Sequence, residues 1–451
     1  MKRRTFLQSV AAVAALSDVA QGEVTVNGES VKALPLLANE SINVYESPDP
    51  DRIFAYSPGL AILPSGRLIA TMDQGGPGMT DPAIVKKTAQ GKRITGKIYT
   101  SDDHGKTWTH RSDMPLFHAR PFVAGDSVYV LGHSGDLGIM CSRDGGVTWE
   151  GAFWLTKGEG WHQAPCNVHY TRGNVYLVME ASTGPYKGWG VSRLAPVVLR
   201  AKVTDDLTQR EHWTFSNRYS FQDVLAEAGA PNLLGVPFFT MGKTDPDREH
   251  PDKRWMFDIG WLETNIVEFK DPDHIWYDPT GHTFYLWARA HTGSTNLACI
   301  AKVVEGEDGS ITVGLAHAPS GAPMLYVPCP GGQMKFHILY DDVTSLFWLL
   351  SSQATDSMTR PESLPEDRFN LPNNERHRLV LHFSKNCVDW CFAGRVADSG
   401  ADKQARHYAS MSIDGDDLHV LSRSGDARAH GPHDGNLITF HTVNDFRALV
   451  Y

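Results

Sequence analysis

The chain has little cysteine, little charge and little helical rhythm. Six cysteines in 451 residues (Cys141, Cys166, Cys299, Cys329, Cys387 and Cys391) are too few and too scattered for a disulfide scaffold. Charged residues make up 21% of the chain against 41% hydrophobic, a balance that excludes a disordered, solvated polymer. Apolar residues recur at the helical period only around residues 222–229. The net charge of −10 argues against a nucleic-acid partner, and an anionic ligand would need a local basic cluster set against that field. The apolar run at residues 9–16, SVAAVAAL, is too short to span a membrane. It follows Lys2, Arg3 and Arg4 before Thr5-Phe6-Leu7. That order reads as a Tat-type export signal over residues 1–20, and the expected location is periplasmic or secreted. Removing it takes away three positive charges and Asp18, which leaves a net charge of about −12.

What the chain does have is aromatic residues and turns. Twelve Trp, fourteen Tyr and nineteen Phe favour strands and also supply flat platforms for sugar rings. Short β-rich runs alternate with Gly, Asp, Asn and Pro turns throughout. The runs fall into couplets, of which SPGLAILPSGRLIATMD followed by GKIYTSDDHGKTW is the first. Six such four-stranded units can be counted, the last completed by a strand near residues 41–47. Residues 218–260 are long enough to hold a seventh. Radial repetition of four-stranded sheets predicts an all-β, six- or seven-bladed β-propeller as a single domain over residues 40–451.

Residues 101–108, SDDHGKTW, recur as SRDGGVTW at residues 142–149 and, worn, as SKNCVDW at residues 384–390. The Asp and Gly suit a hydrogen-bonded corner and the Trp suits the gap between blades, so the expected role is shape. This S-x-D-x-G-x-T-W turn is the Asp-box of the sialidase-like propellers, and the chain resembles that superfamily from residue 40 onward. The resemblance implies a set of site residues. Glu263 resembles the glutamate that opens the fourth blade, and Arg289 and Arg378 (or Arg376) resemble two members of an arginine triad. Tyr408 falls where the nucleophilic tyrosine would lie. The first triad arginine is missing, because Tyr56-Ser57-Pro58 stands in its place, and Asp73 or Asp81 would have to serve as the acid. The runs FHARPFVAGDSVYVLGHSGDLGI, WHQAPCNVHY and PCPGGQMKFHILYDD further resemble the ulvan lyases among the sialidase-related propellers.

That second resemblance implies cleavage of a uronate polysaccharide by β-elimination. The reaction needs a cation to neutralise the carboxylate, a base for the C5 proton and an acid for the leaving oxygen. His118, His133, Tyr186 and Arg200 are the candidate catalytic residues, with Arg200 as the carboxylate neutraliser. His162, Trp161, Trp189, Glu263, Arg289, Arg378 and Tyr408 are candidates for substrate contact. The expected partner is an acidic polysaccharide, without membrane insertion, and a monomer is expected. A sialidase-type hydrolase and a non-catalytic carbohydrate-binding propeller are the competing readings. No cofactor is required, although Cys329, His337 and His407 could hold a structural zinc or calcium ion.

Overall fold

A computed structural model describes residues 34–80, 93–184, 193–228, 260–291, 296–355, 375–400 and 403–451, with residues 23–26, 29–32, 86–87 and 363. Its strands form six antiparallel sheets arranged as blades. Blade 1 contains Phe54–Ile62, Leu68–Gly75, Arg93–Ser101 and Thr109–Met114. Blade 2 contains Phe117–Ala124, Ser127–Ser134, Asp136–Ser142 and Glu150–Trp154. In blade 3 the inner strand is split into Trp161–His162 and His169–Thr171, followed by Asn174–Ser182, Leu194–Lys202 and Thr214–Phe215. Blade 4 contains Gly260–Val267, Thr283–His291, Leu297–Glu305 and Ile311–Gly314. Blade 5 contains His337–Asp341, Leu346–Ser352, Arg378–Ser384 and Cys391–Asp398.

Blade 6 begins with Ala405–Asp414, Asp417–Gly425 and Leu437–Val443, and Ile42–Glu46 from the start of the chain is its outer strand. The ring therefore closes through the predicted segment near residues 41–47. The number of blades is six. Blades 3 and 4 pack directly, Val178 and Val198 lying in one buried cluster with Trp261 and Leu286, and this leaves no room for a sheet between them. The predicted helix is present as Phe221–Ala228. No helix among the described residues is long and apolar enough to cross a membrane.

The core is distributed over the seams. Six buried clusters lie at the six blade-to-blade contacts, from Ile69 and Val130 between blades 1 and 2 to Leu421, Phe440 and Ala70 where blade 6 meets blade 1. Each sheet is buried on both faces because each has two neighbours, so the strands read as continuous apolar runs.

The repeated turns behave as their composition suggests. Asp103 accepts from the Thr107 backbone at 2.8 Å and its hydroxyl at 2.6 Å, and Trp108 Nε1 donates to Gly105 O at 2.9 Å. The second copy repeats this, Asp144 holding Thr148 and Trp149 Nε1 donating to Gly146 O at 3.1 Å. In the worn copy Trp390 donates instead across the seam, to Pro328 O.

Candidate active site

Four inner strands begin with the same irregularity. Ser57 (φ 49°), His118 (50°), Glu263 (57°) and Tyr408 (52°) all occupy the left-handed region near the starts of blades 1, 2, 4 and 6. The ladders slip at these points, between Tyr56 and Gly59, Leu262 and Asn265, and His407 and Ser410. In blade 2 the slip lies between Leu131 and His133, on the strand that pairs with that of His118. A bulge with a left-handed residue re-aims its side chain out of the ladder. For non-glycine residues this costs about 1 kcal/mol or more each, strain that collects at working sites. Buried carboxylates brace the bulges. Asp73 accepts from His118 N at 2.9 Å and from the Ser57 hydroxyl, and Glu180 accepts from Thr264 N at 3.1 Å.

The bulge of blade 6 delivers Tyr408. Its hydroxyl donates to Glu263 Oε1 at 2.5 Å and accepts from Arg289 Nη1 at 2.6 Å, while Arg289 also donates to Glu263 Oε2 at 3.1 Å. Two further guanidiniums lie against the same ring, Arg376 at 5.6 Å and Arg423 at 5.4 Å from its centroid. All three arginines are almost fully buried, so their charges act across little water. Burial pushes the Tyr408 phenol up to about 12 and brings Arg376 down to about 9. Lys335 supports the bulge from below, donating to the Ala409 carbonyl and to Ser410 Oγ, and burial brings its ammonium down to about 8.

Arg423 links this group to the next. It stacks over Tyr56 at 4.3 Å, the Tyr56 hydroxyl donates to Asp434 at 2.7 Å, and its charge reaches His118 and Asp73. His118, His133 and His162 form a triangle with ring centroids 4.9, 5.1 and 6.1 Å apart. His118 Nδ1 lies 3.0 Å from His133 Nε2. Burial holds His118 well below its ordinary value and brings His133 down to about 3, so both imidazoles are neutral at physiological pH. Burial also raises the Asp73 carboxyl to about 7, and Asp73 Oδ2 is 4.0 Å from His118 Nε2.

Glu263, Arg289, Tyr408, His118, His133 and His162 are thus brought together as expected, and other candidates are not. Arg200 pairs across its sheet with Tyr176 whereas His162 pairs with Glu180, four residues or about 13 Å along the strand. It donates there to Glu305 at 3.0 Å and to Gly309 O, tying blade 3 to blade 4 at the end away from the histidines. Trp161 is buried in the seam between blades 2 and 3 and offers no open face for a sugar. Of the two arginine candidates, Arg376 enters the site. Arg378 is half-exposed and pairs with Glu375. Tyr186 and Trp189 lie outside the described residues, as does Asp81.

The cation trio also fails to assemble. Cys329 is buried at the seam of blades 4 and 5. His337 Nδ1 accepts from Met411 N at 3.1 Å. His407 Nδ1 accepts from Arg376 at 2.9 Å while its Nε2 donates to Pro432 O at 3.0 Å. Each is committed to a different neighbour, and they do not converge among the described groups that could hold a metal.

Arg423 was not anticipated. It sits in Ser422-Arg423-Ser424, a wholly buried polar run inside a strand. An arginine in such a run with no acid beside it is the signal that could have found it. It comes from a second strand of blade 6, and it faces Tyr56, the residue that replaces the missing triad arginine.

No protein-family model matches the chain, nor does any curated sequence. Solved structures do match. A Hadza microbial sialidase superposes with a TM-score of 0.54 at 15% identity, over 95% of this chain and 73% of that one. An α-L-arabinanase of Penicillium chrysogenum, complexed with arabinobiose, gives 0.49 at 13% identity over 91% and 99%. At 15% identity the likeness to the sialidase shows the six-bladed propeller fold alone.

Proposed function

We propose that the chain is an exported carbohydrate-active enzyme for a sugar bearing a carboxylate, and that Tyr408 is its nucleophile. The observation that carries this reading is the phenol of Tyr408 held 2.5 Å from a buried glutamate with three guanidiniums around its ring. Guanidiniums are the groups that bind a carboxylate most specifically. A neutral phenol is a weak nucleophile until a base takes its proton, and Glu263 is placed to do so. Phenolate oxygen then attacks the anomeric carbon, the glycosidic C–O bond breaks, and the departing oxygen takes a proton. Asp73, whose carboxyl burial raises to about 7 and whose Oδ2 lies 4.0 Å from His118 Nε2, supplies that proton. Water returning through the same group releases the sugar and restores Tyr408 with the proton from Glu263.

One observation favours a second reading, β-elimination at a uronate. His118 and His133 are neutral imidazoles 3.0 Å apart, a pair able to remove one proton and deliver another. In that case the arginines neutralise the carboxylate and no phenolate attack is needed. Incubation with sialyl-lactose and with a panel of uronate polysaccharides, ulvan included, separates the two. Hydrolysis yields a free sugar acid, while elimination yields an unsaturated uronate with a new near-ultraviolet absorbance. Binding without product would contradict both.

A further inference from the structure

The Asp-box turn of blade 1 carries a histidine where its copies do not. His104 is left-handed at φ 57°, and the matching positions are Gly145 at φ 71° and Cys387 at φ 57°. Glycine holds that conformation without strain, so His104 keeps an unfavourable backbone and leaves 71% of its side chain exposed. The turn is clamped against blade 6. A Cβ on Gly105 would lie 2.1 Å from the Phe440 ring, and Trp108 meets the same ring edge-on at 5.5 Å. His104 is thereby fixed over Asp414, at the end of the inner strand of blade 6, and His419 on the following strand. His104 Nδ1 lies 3.5 Å from Asp414 Oδ2, and His419 Nε2 lies 3.1 Å from the same oxygen. One donor atom from each residue lies within 4.8 Å of the other two, the only such threesome among the described residues.

We propose that His104, Asp414 and His419 form a zinc-type divalent cation site that pins blade 1 to blade 6. Two imidazole nitrogens and one carboxylate are a donor set that suits zinc, whereas calcium takes six to eight oxygens. Bonds of about 2.0–2.1 Å in a tetrahedron place neighbouring donor atoms about 3.3 Å apart, and the observed separations of 3.1 and 3.5 Å bracket that spacing. His419 is oriented as a ligand. It is buried, its Nε2 faces Asp414, and its Nδ1 lies 3.2 Å from Thr442 Oγ1. An outer hydrogen bond of this kind fixes the tautomer of a metal-binding imidazole. The exposed His104 side leaves a fourth position for water. Asp414 is six residues along its strand from Tyr408, about 20 Å, so the cation would act on ring closure and take no part in catalysis. This is the seam where the two ends of the chain meet, since Ile42–Glu46 completes blade 6.

The test uses the full chain, stripped with a chelator and titrated with zinc chloride by calorimetry, with Tm read before and after. Wild type should bind one equivalent of zinc and gain Tm, and cobalt in its place should give the strong visible absorption of a tetrahedral site. His104→Ala should bind zinc at least about tenfold more weakly and lose the zinc-dependent gain in Tm. Its exposed side chain makes that variant safe for folding, and His419→Gln is the second variant, with the same expected loss. Absence of stoichiometric zinc binding by wild type would overturn the proposal. So would His104→Ala binding zinc as tightly as wild type, or selective uptake of calcium. Sugar cleavage is not read in this experiment, so its outcome leaves the proposed function untouched.

Discussion

The two ends of this propeller's strands hold carboxylates in opposite ways. At the starts of the inner strands, Asp73 and Glu263 are buried beside strained left-handed bulges, and burial raises Asp73 to about 7. At the Asp-box turns, Asp103 and Asp144 sit near solvent and accept from the Ser and Thr of their own turns, and hydrogen bonds from Thr107 hold Asp103 near 2. The first arrangement stores strain and unbalanced charge where chemistry would use them, and the second spends its bonds on shape. Left-handed residues occur at both ends, His104 and Cys387 in the Asp-box turns included, so strain points to the candidate site only where such residues stand beside buried carboxylates and arginines.

That contrast predicts where substitutions act. Tyr408→Phe should lower kcat by roughly 10³-fold if the proposed nucleophilic role of its oxygen holds, with Tm little changed. Asp144→Ala should do the reverse, leaving kcat intact. Glu263→Ala leaves the Arg289 guanidinium buried without its partner and should cost about 3–5 kcal/mol in urea unfolding. Asp144→Ala removes bonds to Ser142, Val147 and Thr148 and should cost about 1–2 kcal/mol. Equal loss of activity in the Asp144 and Tyr408 variants would erase the distinction between the two ends.

The smallest effect is in pH, and its sign differs between the ends. Asp73 has a folded value raised from 3.8 to about 7, so ionising it costs more in the folded chain. Its contribution to stability is complete below about pH 3.8 and is lost as pH rises toward about 7. Asp103, lowered from 3.8 to about 2, contributes fully above about pH 3.8, and that is lost as pH falls toward about 2. Asp73→Asn should flatten the stability profile on the neutral side and Asp103→Asn on the acid side. Parallel profiles in both variants would contradict the opposite signs.

Much of the scaffold could be read from the sequence because a blade is a local unit. A turn such as residues 142–149 folds on its own hydrogen bonds, and its repetition declares the ring. The strand at residues 41–47 was likewise readable as the closing one. The site was readable only where a motif marked it. Glu263 and Tyr408 stand at blade starts, Arg289 stands near the end of the second strand of blade 4, and the three histidines stand where inner strands begin or their partners end. Arg423 carries no such mark, since its role depends on Tyr56 from the far end of the chain. Arg200 was the candidate carboxylate neutraliser, but Glu305, 105 residues later, is brought to it by the neighbouring blade. Trp161 looked like a platform because its burial depends on blade 2. Contacts across seams decide these roles, and one chain's linear order does not contain them.

The central claim is that the three arginines around Tyr408 select a carboxylate. It is tested most directly by kcat/KM on a carboxylated glycoside against the same glycoside with its carboxylate reduced to an alcohol. With Arg289, Arg376 and Arg423 buried around Tyr408, the reduced substrate should react at least about 10²-fold more slowly, since each charge-assisted contact contributes about 1.5–3 kcal/mol. Equal rates on the two substrates would contradict it.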